Sequence, residues 1–285
     1  MLAGCSDEAG DSNGLLDALG RVRATAETRK AVEYGEPATV AKLAAEDKTR
    51  YQALQGYGYG SIAMYGLAVE KTLGIDLDTF TSGIVAGEPP KQGTVIWGDY
   101  DWSAVDKKLQ ALGADNKSEF GGTRWRSAGD YELSLTDGLF SDVMPTAQFN
   151  QIVTAEGSFA FAPAKEVVEW MTVPGDDTLA DDDVLAGLAR CLGDVIAARL
   201  EATGEAAGVR RDGSEVICLN GDQAAVTKAL KGKAPSANMP WDDVLPDAAV
   251  DQDGALARVT VPKQDGKPAG RVLSVMRNGD LKGLR

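Results

Sequence analysis

Residues 95–113 read VIWGDYDWSAVDKKLQALG, and residues 216–232 read VICLNGDQAAVTKALKG. Each stretch opens as a short β-branched run, turns at Gly-Asp, and continues with apolar residues spaced three to four apart. In the first, Trp102, Val105, Leu109 and Leu112 form one stripe, Asp101 occupies the N-cap position and Gly113 the terminator. Ala104, Val105, Lys107 and Leu109 match Ala225, Val226, Lys228 and Leu230. A strand–turn–helix unit that occurs twice predicts an α/β or α+β fold, with mixed sheets and amphipathic helices. It also predicts two related halves from an internal duplication, with a cleft or groove between them. The rival account is a chance match between alanine-rich helices.

Working outward, Leu15, Leu16, Leu19 and Val22 predict a first short helix, and RKAVEYGE (29–36) a strand. Pro37 opens a second helix, where its missing N–H costs nothing. GSIAMYGLAVEKTLG (60–74) is a more apolar helix stopped by Gly74. TRWRS, YELSL and NQIVTAEGSFAFAPA read as strands, the last a hairpin turning at Glu156-Gly157, and AKEVVEWM as a helix. In the second half, VLAGLARCLGDVIAARL (184–200) is expected as one helix with Val184, Leu188, Cys191 and Val195 on a single face. SEVICLNG is expected as the strand carrying Cys218, joined to that helix by a short Gly/Glu/Ala loop. ARVTVPKQDGKPAGRVLSVMR (257–277) reads as a hairpin. The boundaries that follow are 1–14 for a flexible tether, 15–172 for the first half and 173–285 for the second.

The chain has 285 residues, 44% of them hydrophobic, enough for one large or two small domains. No apolar run reaches the roughly 18 residues that a membrane-spanning helix needs. A formal net charge of −14 disfavours nucleic acid and docking on anionic headgroups. There is no histidine. That removes the usual general base of Ser-His-Asp and Cys-His hydrolases and the commonest transition-metal ligand. Ser–Lys, threonine and paired-carboxylate chemistry survive, as does oxygen-ligated calcium or magnesium.

Several stretches invite a chemical reading, and each has a plainer one. Gly58, Gly60 and Ala63 in QGYGYGSIA satisfy the glycine pattern of dinucleotide-binding turns, with Asp78 downstream. The preceding segment reads as helix rather than the required buried strand, so a helix–helix connection is the better account. Tyr57, Tyr59, Tyr65, Trp97, Tyr100 and Trp102 concentrate aromatic surface that a sugar or apolar ligand could use; core packing is the alternative. Asp99 and Asp101 form a carboxylate pair beside aromatics, as in glycosidases, yet turn and cap roles suit that position better. Arg124 and Arg126 share one strand face with Trp125 opposite, fitting an anion site or a solvated face paired with acids. The acidic run PGDDTLADDD reads as a solvated helix start, since it lacks the calcium-loop glycine and closing glutamate. No Walker A pattern, CxxC or G-x-S-x-G elbow occurs, and no cofactor or metal is expected.

Leu2-Ala3-Gly4-Cys5 resembles the lipobox of bacterial lipoproteins. In that family a branched apolar residue and two small residues precede a cysteine whose sulfur carries a diacylglyceryl group, and the signal peptidase cuts before that cysteine. The resemblance implies lipidation at Cys5 and, ahead of Met1, an in-frame signal segment with the charged and apolar regions that these residues lack. Ser6 to Gly14, polar and glycine-rich, reads as the tether. An exported chain would oxidise the remaining pair, Cys191 and Cys218; two buried free thiols are the alternative.

The function expected is an exported, extracytoplasmic, lipid-anchored cell-surface protein: a non-enzymatic binding or interaction module. Its ligand, protein or small molecule, is unspecified, and its membrane contact runs through the lipid on Cys5. The alternatives are a histidine-free, carboxylate-dependent envelope enzyme such as a glycoside hydrolase, and a cytosolic interaction protein.

Overall fold

Asp101 and Gly113 bracket a helix as their positions predict: the Asp101 side chain accepts the Ala104 N–H, and Gly113 turns left-handed at φ 90°. The computed structural model describes residues 13–133, 138–140 and 147–285. In chain order these hold α1 (Gly14–Leu19), β1 (Ala31–Gly35), α2 (Pro37–Glu46), α3 (Lys48–Tyr51), α4 (Gly66–Leu73) and β2 (Ser82–Ala86). Next come β3 (Gly93–Trp97), α5 (Trp102–Leu112), β4 (Asp115–Glu119), β5 (Gly122–Arg126), β6 (Gln151–Ala155), β7 (Ser158–Ala162) and α6 (Lys165–Thr172). The remainder is α7 (Asp183–Leu192), β8 (Val195–Glu201), β9 (Glu205–Arg210), β10 (Glu215–Asn220) and α8 (Gln223–Ala229). It ends with α9 (Trp241–Val244), β11 (Ala249–Asp253), β12 (Leu256–Val261) and α10 (Arg271–Arg277).

Among the described residues, all the strands join one 12-stranded sheet in the order β11-β12-β10-β9-β8-β1-β2-β3-β7-β6-β5-β4. Every pairing is antiparallel, so the expected α/β or α+β class is met in its α+β form. Outward from the central β1·β8 pair, β8, β9 and β10 lead through α8 and α9 into the β11–β12 hairpin, with β12 docking on β10. On the other side β1, β2 and β3 lead through α5 into a four-stranded meander, β4 to β7, with β7 docking on β3. A helix then closes each unit, α6 or α10. The sheet continues unbroken through β1·β8, where Glu33 stands opposite Arg199 and Tyr34 opposite Ala198.

One face of the sheet carries a single core against α1, α6 and α7, including Leu19, Ile84, Val167, Leu188 and Cys218. The other face carries two. Ile217, Trp241, Val259 and Leu273 pack with α2, α9 and α10, while Ile96, Leu109, Phe159 and Phe161 pack with α4 and α5. Helix starts follow local rules: Asp182 accepts the N–H groups of Val184 and Leu185, and Asp222 those of Ala224 and Ala225. At α10 the cap comes from a neighbouring strand. Buried Glu215 accepts the N–H groups of Gly270 and Val272, each at 3.1 Å, where the helix start is electropositive.

Several expectations about the chain's path are corrected. The helix bearing Cys191 ends at Leu192 and does not reach residue 200; after Gly193 the chain enters β8 at Val195. Val184 is exposed, and two strands rather than a loop separate Cys191 from β10. Ala197 and Ala198 are both fully buried, one on each sheet face, and burial on both faces erases the period of two that marks a strand. GRVLSVMR is helical, burying Val272, Leu273, Val275 and Met276 as one stripe; the hairpin of this half is β11–β12. Tyr131 to Leu133 are not strand, and residues 134–135 of YELSL lie outside the described residues. The proposed tether also ends earlier than residue 14, because Asn13 already caps α1 and donates to the Ala189 carbonyl.

Candidate functional site

The segment that looked like a nucleotide turn is a strap across the sheet. Gly56, Gly58 and Gly60 take φ values of 101°, 89° and 60°, which only glycine adopts at little cost. The chain before it is helical, from α3 through residues 52–54, so the dinucleotide geometry is absent here. A Cβ on Gly58 would stand 2.9 Å from both the Gly35 nitrogen and the Gly83 carbonyl oxygen. The strap therefore lies in backbone contact with β1 and β2, at the seam where the two cores of that face part. Asp78 accepts the Tyr59 hydroxyl at 3.0 Å instead of facing a ribose.

Beside the strap the sheet is left uncovered, and a groove of about 410 Å³ opens there. Its floor is one cross-strand row, with Arg199 of β8, Glu33 of β1 and Val85 of β2 side by side. Gly60 forms one wall, and Gly87, Glu88, Pro89 and Gln92 of the β2–β3 connection form another. The Glu33 Oε1 accepts the Gly58 N–H at 3.3 Å. Burial pushes the Glu33 carboxyl above its ordinary range, while the Gly58 and Gly60 N–H groups and the Arg199 and Arg277 charges pull it back. Arg199 is held by Glu201, both contacts at 3.3 Å. Arg277 donates to the Tyr57 hydroxyl at 2.8 Å and lies over that ring, and burial raises the Tyr57 pKa.

Elsewhere the candidates separate into structural parts. Cys191 and Cys218 form a disulfide with a Cα–Cα distance of 6.3 Å, fastening α7 to β10 inside the core. Cys5 lies outside the described residues. Asp101 caps α5 and Asp99 is exposed, so the two aspartates take turn and cap positions. Tyr100 and Trp102 stack with Phe80, and Trp102 stacks also on Phe159, as part of the core; Tyr59 is buried, and Tyr65 and Trp97 are partly buried. Arg124 bonds Glu119 and Gln151, Arg126 bonds Asp115, and Trp125 is buried on the opposite side, the paired-acid arrangement. Asp181 closes a capping box with Thr178, so the acidic run starts helices. Among the described residues no cluster of three or more acids or cysteines has metal-holding geometry.

The sequence reading missed Glu33 and Arg199. A signal for Glu33 was present: a carboxylate in the middle of an apolar strand, AVEYG, must share a face with residues that pack. Arg199 carried none, because its strand was read as helix.

No protein-family model matches the chain, and no curated protein matches it. Among solved structures, crystal form III of TP0453 is similar at 11% identity and a TM-score of 0.41, covering 91% of this chain and 97% of that one. Crystal form I of TP0453 gives 11% identity and a TM-score of 0.40, over 92% and 97% of the two chains.

Proposed function

We propose that this chain is an extracytoplasmic, lipid-anchored binding module, held to a membrane through Cys5 and taking a small ligand in the groove over Glu33. The observation that carries the reading is the Cys191–Cys218 bridge, because disulfides persist in oxidising compartments and are rare in reducing ones. The lipobox-like Leu2-Ala3-Gly4-Cys5 and the polar stretch after it support the anchor. An acidic body with a net charge of −14 suits a protein held near a membrane but not lying on its anionic headgroups. A binding role rather than catalysis is favoured by a groove in which Glu33 is tied to backbone and Arg199 to Glu201, with no nucleophile–base pair among the lining residues.

Intact-mass measurement on native protein extracted from membranes tests the anchor. The expected result is a mass that begins at Cys5 and carries a diacylglyceryl group. Unmodified protein, free in the cell interior and reduced at Cys191 and Cys218, overturns the reading. Cys5→Ser is expected to release the folded protein from the membrane fraction.

A further inference from the structure

We propose that the groove binds a small organic cation, a primary ammonium on a short alkyl body, with the Glu33 carboxylate as its counter-charge. The inference rests on the reading of the chain as a binding module and names the class of its ligand.

Charge balance in the groove carries it. Glu33 stands on the floor with Oε1 held by the strap, and among the described residues no lysine or arginine nitrogen lies within ion-pair distance of it. Its cross-strand neighbour Arg199 spends its guanidinium on Glu201. That pair is neutral as a unit; the Arg277 guanidinium, bound to the Tyr57 hydroxyl, acts on Glu33 only from beyond contact distance, and Glu88 at the rim adds a second negative charge. A carboxylate taken partly out of water with no cation at contact distance is unfavourable, and an entering ammonium lowers that cost. The strap also holds Glu33 in place, so little side-chain freedom is lost on binding.

The walls select the kind of cation. Exposed Pro89 offers apolar surface to an alkyl body, and the Gln92 amide oxygen offers a further polar contact. A divalent metal ion would want about six or more oxygen ligands at close range, and one fixed carboxylate does not supply them. The volume of about 410 Å³ falls within the range of small-molecule sites. The acidic body draws cations and repels anions on approach.

The test uses the whole folded chain, with n-butylammonium and 1,4-diaminobutane as probes, butyrate and 1-butanol as anionic and neutral counterparts, and calorimetry with amide NMR as readouts. Saturable binding of the ammonium probes is expected, shifting the Gly58 and Gly60 amide signals. Glu33→Gln, which keeps the acceptor for Gly58, is expected to weaken binding by about tenfold or more, and Glu88→Gln by a few-fold. Unchanged melting of the exposed Glu88→Gln variant separates lost affinity from lost folding. Ammonium binding that Glu33→Gln leaves intact overturns the proposal. If butyrate or 1-butanol shifts those amides and the ammonium probes do not, the ligand class is wrong and the binding-module reading stands. If no probe shifts them, both the ligand class and the groove's binding role are overturned.

Discussion

Gly35 lies directly beneath the carbonyl group of Tyr57, so close that a Cβ on Gly35 would collide with that oxygen. The strap is therefore seated on bare backbone. Gly83, next to Gly35 across the β1·β2 ladder, is bare for the same reason: its Cβ would stand 2.5 Å from the Gly58 carbonyl oxygen.

Gly35→Ala is expected to destabilise the fold by about 2–3 kcal/mol, because the added methyl meets backbone that cannot turn aside. Urea denaturation measures it. The strap amides Gly58 and Gly60 are expected to lose hydrogen-exchange protection before the sheet does, since the methyl lifts the strap first.

Reducing Cys191–Cys218, or replacing both by serine, is expected to lower stability by about 3–4 kcal/mol. The bridge closes a loop with a sequence separation of 27, and the chain-entropy model gives that magnitude. Denaturation midpoints with and without reductant provide the check. An unchanged midpoint would mean that the unfolded chain is already constrained between these residues.

Glu33→Gln is expected to raise the melting temperature near neutral pH. Folding raises the Glu33 pKa above its ordinary 4.5, so ionised Glu33 opposes folding at pH values above the folded pKa. That opposition fades as the pH falls through the folded pKa and is gone below 4.5, where the carboxyl is protonated in both states. The variant's advantage should shrink on the same interval in melts run across it. A carboxylate that costs stability fits the proposed binding role of the groove.

Arg50→Met is expected to cost about 3 kcal/mol, with Arg50→Lys intermediate. Arg50 is 2% exposed and its guanidinium donates to the carbonyls of Gly213, Gln264 and Lys267. It pins the β9–β10 turn and the segment before α10 to α3. Methionine fills the space but leaves those carbonyls without a donor. Equilibrium unfolding of the two variants beside the parent protein measures the effect.

How far the sequence could be read depended on the range of the interaction. Pro37 at its helix start, Asp101 and Asp182 at their caps, Gly74 and Gly113 at their stops all sit within one turn of the groups they serve. Trp125 alternates with Arg124 and Arg126 because a strand turns neighbours to opposite faces. Reading failed where burial on both faces hid the period, in β8, and where a helical stripe followed a strand too closely to be told from a hairpin arm, at residues 271–277.

By itself the sequence determined the caps, the turns, the repeated strand–helix unit, the acidic charge and the availability of two cysteines for pairing, since each depends on neighbours in the chain or on composition. Only the tertiary structure decided that β1 meets β8, that the glycine strap crosses the seam, and that Glu33 faces a groove beside Arg199. The physical reason is that backbone hydrogen bonds between strands far apart in sequence are indifferent to side chains. The surroundings of Glu33 are assembled from residues 58–60, 85–92 and 199, whose proximity no local pattern encodes.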